Sequence, residues 1–171
     1  MAVGELIGGA IGILLLIIVA YVLVGATLTT AETVSSAQQD ALQSHISRLH
    51  TDISVSDFFI ANTTQGLIYF NITNSGSETI NSLGNMDVFI SGSDDTAGPQ
   101  QYLFGDLSDS TKWNATEIFW RDRSGYSRIE SVHPGQLDPG ETVTGTAIFT
   151  SSTPYMIEVV TGNGAYSSAY I

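Results

Sequence analysis

The sequence predicts an N-terminal transmembrane α-helix that continues as a polar helix, followed by an all-β domain folded as an antiparallel sandwich. Three observations carry this expectation. Leu6 to Ala26, LIGGAIGILLLIIVAYVLVGA, contains no charge and no Pro. As a helix it rises about 31 Å, which matches the hydrocarbon core of a bilayer. Residues 27–52 contain neither Pro nor Gly and carry a thin apolar stripe at steps of three and four. From Ile53 onward the hydrophobic period changes to two.

The expected organisation is a short leader over residues 1–5, a transmembrane helix over 6–26, a polar helical stalk over 27–52 and a β-domain over 53–171. The first Lys or Arg is Arg48, and the apolar run is longer than the h-region of a cleaved signal peptide, so a retained signal-anchor is expected. Gly4, Gly8 and Gly12 recur at every fourth residue and share one helical face. Small residues at that spacing let helix backbones approach closely, and they mark this face for packing against other helices, as a homo- or hetero-oligomer. In the stalk, Val34, Ala37, Ala41, Leu42, Ile46 and Leu49 form the stripe. The TLTTAETVSS stretch has low helical propensity and is the expected place for a kink.

In the β-domain, ISVSDFFI, GLIYFNITN, NMDVFIS, ETVTGTAIFT, YMIEVVT and GAYSSAYI read as strands rich in Val, Ile, Tyr, Phe and Thr. The breaks between them hold turn chemistry at Asn74-Ser-Gly, Asp138-Pro-Gly and Gly162-Asn-Gly. Seven or eight short strands without intervening helices indicate an immunoglobulin-like antiparallel β-sandwich. Residues 92–116 are polar and irregular, and are expected to form a long surface excursion.

Composition excludes several classes of function. The chain has 17 acidic residues against five Lys and Arg, a net charge of −12. Residues 54–171 alone hold thirteen acidic and four basic residues, a net charge of −9. Nucleic acid and anionic lipid surfaces need Lys and Arg to neutralise phosphate, so neither is an expected partner of the domain. Cysteine is absent, which excludes a disulfide framework. None of the motifs for nucleophilic hydrolysis, zinc proteolysis or phosphate and dinucleotide binding occurs. His45, His50 and His133 are too few and too poorly spaced for zinc. The carboxylates at Asp94-Asp95 and at Asp106 with Asp109 lack the remaining features of a calcium loop. No enzyme activity, cofactor or metal is expected.

Two groups of residues stand out as candidate sites. Asn62, Asn71 and Asn114 each open an N-x-Thr sequon, a glycan acceptor if the domain is exported. Asn62 and Asn114 have loop-like contexts, whereas Asn71 lies within a strand pattern. The basic residues of the domain are Lys112, Arg121, Arg123 and Arg128, and Trp113, Trp120 and Tyr126 are interleaved with them. Arg, Trp and Tyr are the residue types enriched at binding hot spots, so the cluster is a candidate partner patch. The competing reading is two core tryptophans, with the arginines paired to nearby carboxylates such as Asp122 and Glu117.

The apolar helix, together with LIYFNITNSGSETI, NMDVFISG, LDPGETVTGTAIF and YMIEVVTGNGAYSSAYI, resembles the archaellum stator family FlaF and FlaG, accessory proteins of the archaeal motility filament. The resemblance implies a membrane-anchored immunoglobulin-like domain outside the cytoplasmic membrane. Such a domain would hold the motor against surface-layer protein alongside other motility-filament components. The sequons, which need an external domain, put the expected N-terminus on the cytoplasmic side. The architecture is also similar to archaeal type IV pilins and archaellins, which join a long N-terminal helix to a β-domain. Gly4 before Glu5 fits the processing site of those subunits, but no basic residue precedes it. The accessory role is therefore preferred here, with a filament subunit as the alternative.

Overall fold

The computed structural model describes residues 2–93, 98–121, 124–150 and 153–171. The chain divides into two units, Met1–His45 and Ile46–Ile171. The described residues of the first belong to α1, which runs without interruption over Ala2–His50. At 1.5 Å per residue α1 is roughly 73 Å long. It is long and apolar enough to cross a membrane, and none of its apolar window is buried within the protein. The Thr-rich stretch does not break the helix. Thr27, Thr29, Thr30 and Thr33 each donate a side-chain hydroxyl to a carbonyl four residues back, at 2.8–3.0 Å. This back-bonding gives the threonines a local partner inside a helix they otherwise disfavour.

The described residues of the second unit form a two-sheet β-structure of nine strands. The first sheet runs β1 (Ile53–Asn62), β2 (Leu67–Asn74), β7 (Glu141–Ile148) and β5 (Lys112–Arg121), with the short β6 (Ser127–Ile129) on the end of β5. The second runs β4 (Gln100–Phe104), β3 (Asp87–Gly92), β8 (Pro154–Val160) and β9 (Tyr166–Tyr170). The sheets join at one side through a brief parallel pairing of β4 with β5. At the other side β1 lies against β9, where the Val55 N–H donates to Ser167 Oγ at 3.3 Å. The sandwich is therefore almost closed, which leaves little exposed strand edge.

Burial alternates as the pleat demands. In β2, Ile68, Phe70, Ile72 and Asn74 are buried while their neighbours are half-buried. The largest core side chain is Trp113, fully buried, with Phe70 at 6.0 Å and Phe104 at 5.0 Å between ring centroids. Its indole N–H donates to the Met86 carbonyl at 3.2 Å, which satisfies the one polar group that so large a side chain brings inside. Gly145 is required opposite Phe70, because a methyl group there would fall inside the Phe70 ring.

The stretch expected to be an excursion contains β4 and the start of β5. Only Tyr102 of β4 is buried, so the strand offers too little alternation to be read as one. The turn between these strands is built by carboxylates. Asp106 accepts the Ser108 N–H at 2.9 Å, and Asp109 accepts the Thr111 N–H at 3.0 Å and its hydroxyl at 2.7 Å. Those two aspartates thus serve as turn acceptors, and Asp94-Asp95 lie outside the described residues.

The last turn of α1 belongs to the β unit. The His50 carbonyl accepts N–H bonds from Ser77 at 2.9 Å and Glu78 at 3.3 Å, and the Asp52 carbonyl accepts from Ser75 and Gly76 at 2.9 Å each. The donors to His50 satisfy a carbonyl that the helix end leaves unpaired, and those to Asp52 hold the residue that follows it. The 75–78 turn is itself pinned by Asn74, whose buried amide donates to the Glu78 and Leu137 carbonyls at 2.9 and 2.8 Å and accepts the Gly76 N–H at 3.0 Å. A second set ties the same turn of helix to the β8–β9 loop: Asn163 Nδ2 lies 2.6 Å from Thr51 Oγ1 and 3.3 Å from Ser47 Oγ.

Two stability outcomes follow from this packing. Trp113→Ala should cost about 3–5 kcal/mol in denaturant unfolding followed by circular dichroism, whereas Trp120→Ala should cost less than about 1 kcal/mol. Asn74→Ala should cost about 2 kcal/mol, since the bonds of a buried amide to the Glu78 and Leu137 carbonyls and from the Gly76 N–H are all lost. It should also increase amide hydrogen exchange at Gly76 and Ser77.

Candidate functional site

The candidate partner patch separates into parts. Trp113 is withdrawn from it as a correction: the side chain is fully buried and supports the core. Lys112 stands at the start of β5, where it pairs with Asp109 at 3.6 Å and lies along Gly105. Eight residues of extended chain, roughly 26 Å, separate it from Trp120. Arg123 lies outside the described residues, as does Asp122. What remains together is the β5–β6 hairpin. Trp120 and Arg128 are cross-strand partners, as are Arg121 and Ser127. Trp120 is 40% exposed, Tyr126 71% and Ile129 68%, and Arg121 and Arg128 are exposed. The hairpin thus presents aromatic, aliphatic and cationic groups on an otherwise acidic domain.

The sequons differ in accessibility. Asn62 is exposed at the end of β1, and its side-chain oxygen accepts the N–H of Thr64 at 2.9 Å and of Gln65 at 3.2 Å. Asn71 is half-buried and engaged at both ends, donating to Asp57 Oδ2 and accepting from Thr144 Oγ1, each at 2.9 Å. Asn114, expected in a loop, lies inside β5 and is half-buried. The Thr116 position of its sequon forms part of the bulge between Ala115 and Glu117, which obscured the strand pattern. Gly4, Gly8 and Gly12 have open space where a Cβ would stand, and no other part of the described chain covers them.

A group of titratable residues that the sequence did not flag sits at the Leu137-Asp-Pro-Gly-Glu turn. Gly140 has a φ of +85°, and the Glu141 N–H closes the turn on the Asp138 carbonyl at 3.0 Å. The Asp138 N–H donates back to Glu141 Oε2 at 2.8 Å. Asp138 accepts the Thr79 hydroxyl at 2.7 Å and lies 3.0 Å from His133 Nδ1. Its carboxyl is held below the usual range, first by the Thr79 bond and then by His133. Glu141 is buried and pushed up, chiefly by desolvation. Its neighbour Glu130 is held down, first by the His133 N–H and then by the Glu141 carboxyl. Opposite shifts on adjacent carboxyls mean that Glu141 takes the proton first as the pH falls. Among the described residues no group of three or more His, Cys, Asp or Glu is arranged to hold a metal ion.

Comparison with known proteins gives a family and a fold. The family model described as archaeal-type flagellin matches residues 3–170. No curated protein matches. Among solved structures, the archaellum periplasmic stator protein complex FlaF and FlaG from Sulfolobus acidocaldarius matches at 22% identity and a TM-score of 0.50. That match covers 71% of this chain and 89% of the other. The archaellum periplasmic stator protein FlaG from the same organism matches at 22% identity and a TM-score of 0.49, covering 71% of this chain and 99% of the other.

The Asp138 environment yields a pH test. A depressed carboxyl stabilises the fold above its unfolded pKa, and this contribution disappears as the pH falls through the folded value. Thr79→Val removes the largest cause of the depression. The Asp138 carboxyl carbon should then titrate at higher pH by NMR, and the acid limb of the stability curve should move upward with it.

Proposed function

The chain belongs to the archaeal-type flagellin family, a family of structural proteins, and from its fold we propose that it is a stator-type component of the archaellum machinery. In this reading residues 6–26 of α1 cross the cytoplasmic membrane with the N-terminus inside, and residues 27–52 form a stalk. The β-domain over 53–171 stands outside and engages the surface layer. The observation that carries the proposal is the fold: a long apolar helix followed by a nearly closed sandwich like that of the FlaF and FlaG complex. Charge supports it, because a domain of net charge −9 suits a cationic or divalent-bridged surface partner. The β5–β6 hairpin, with Trp120, Arg121, Tyr126 and Arg128, is the contact surface we assign to another motility component. Gly4, Gly8 and Gly12 form the helix-packing face, and Asn62, exposed at a strand end, is the sequon best placed to carry a glycan.

The alternative is a filament subunit that polymerises through α1. The full-length family match, which includes the helix, favours it.

The two readings differ in what the purified chain does. A stator component should stay as dispersed detergent-bound oligomers in negative stain and should retain surface-layer protein in a pull-down. Long homogeneous filaments, with a mature chain beginning at Glu5 by mass spectrometry, would overturn the stator reading in favour of the subunit. In either case Gly8→Leu should weaken helix association about tenfold or more, measured by detergent-phase sedimentation equilibrium.

A further inference from the structure

We propose that the outer face of the first sheet, at the bulge in β1, is a saccharide-binding site. Four observations of this surface lead there.

The first is backbone strain. Among the described residues Asp57 is the one non-glycine residue with a positive φ, 51°. A side chain in the left-handed region costs about 1–2 kcal/mol, and such residues gather where function requires them. The strain arises from the bulge. Ser56 pairs with Asn71 and Phe59 with Tyr69, so Asp57 and Phe58 together oppose Phe70. Phe58 turns into the core, and Ser56 and Asp57 both remain on the solvent side.

The second is the hydrogen-bonding state of the carboxylate. Asp57 Oδ2 accepts from Asn71 Nδ2 at 2.9 Å and lies 3.4 Å from Ser56 Oγ. Oδ1 has no partner among the described residues. The carboxylate is therefore oriented by one oxygen and leaves the other available as an acceptor.

The third is the set of groups that shares the surface. A concavity of about 520 Å³ is lined by Asp57, Asn71, Thr73, Thr142, Phe119 and Arg121. Arg121 makes no ion pair with a described residue. Thr73 and Thr142 hydroxyls lie 2.8 Å apart, and Thr144 fixes the Asn71 amide from the far side at 2.9 Å. The amide orientation is thereby locked before any ligand arrives.

The fourth is the exclusion of other ligands. A lone anion would meet the Asp57 charge and the acidic domain. An apolar ligand would leave the carboxylate and guanidinium desolvated. A metal ion would find a single carboxylate. A pyranose presents adjacent hydroxyls that are both donors and acceptors, together with an apolar C–H face. The Asp57 oxygen accepts from such hydroxyls, the Arg121 fork donates to them, and the Phe119 ring packs against the C–H face. The volume suits one or two sugar units.

This inference goes beyond the stator reading and does not rest on it. The test uses the full chain, made in a bacterial host so that its sequons carry no glycan and held in a sugar-free zwitterionic detergent. It is applied to an array of neutral oligosaccharides, and any hit is quantified by calorimetry. Binding to at least one member is expected, with affinity lowered about tenfold or more by Asp57→Asn and by Arg121→Gln. Asn tolerates the left-handed backbone, so Asp57→Asn should fold, and its thermal midpoint checks this. Tyr170→Ser, on the second sheet, should bind as wild type does. Failure to bind any saccharide, or binding that survives both substitutions, would overturn the proposal. Stator function could persist in either case.

Discussion

A helix that leaves its last carbonyls bare needs donors, and in this protein the donors come from one turn of the β-domain. Ser75, Gly76, Ser77 and Glu78 supply four N–H groups to the His50 and Asp52 carbonyls. That turn holds its shape because the buried Asn74 amide bonds both to it and to the Leu137 carbonyl. Leu137 in turn pairs with Ile80 and leads into the turn that carries Asp138 and Glu141. A helix end, a strand end and a long connection therefore share one amide. Residues 46–50, the last turn of α1, are thereby folded into the β unit.

The two sheets are distinguished by what they show to solvent. The first carries Ser54, Ser56, Asn71, Thr73, Thr142 and Thr144 outward, in addition to Asp57 and Arg121. The second shows Tyr166 and Tyr170, each 65% exposed, with Leu103 at 53%. An antiparallel sandwich needs only its inner faces to be apolar, so the outer faces are free to diverge. One outer face can then take polar ligands while the hairpin at its end presents Trp120 and Tyr126. Separation of these surfaces lets a single domain of ordinary size hold more than one contact.

Much of this was legible beforehand. The apolar run and the six strands read from period-two alternation lie where they were expected, because burial on one face imposes that alternation directly on the residues. β4 and β6 escaped notice because each buries at most one side chain, so nothing in their composition records a sheet. β5 escaped in part because its bulge shifts the alternation midway. The break in ISVSDFFI, where Asp57 falls on an inward position and two phenylalanines follow, was the local sign of the β1 bulge.

What the sequence determined by itself is the class of molecule: a helix apolar enough to cross a membrane, then an acidic sandwich without thiols or catalytic motifs. Those properties depend on composition and on periods of a few residues, and need no knowledge of distant neighbours. Tertiary structure decided which tryptophan is core and which is surface. Trp113 and Trp120 occupy similar local contexts, and only the path of β4 and Met86 over one of them separates their roles. It also decided that Asn74 is a buried brace and that Asp57 and Arg121 line one groove. Each of these depends on where residues far apart in the chain come together, and no local pattern encodes that.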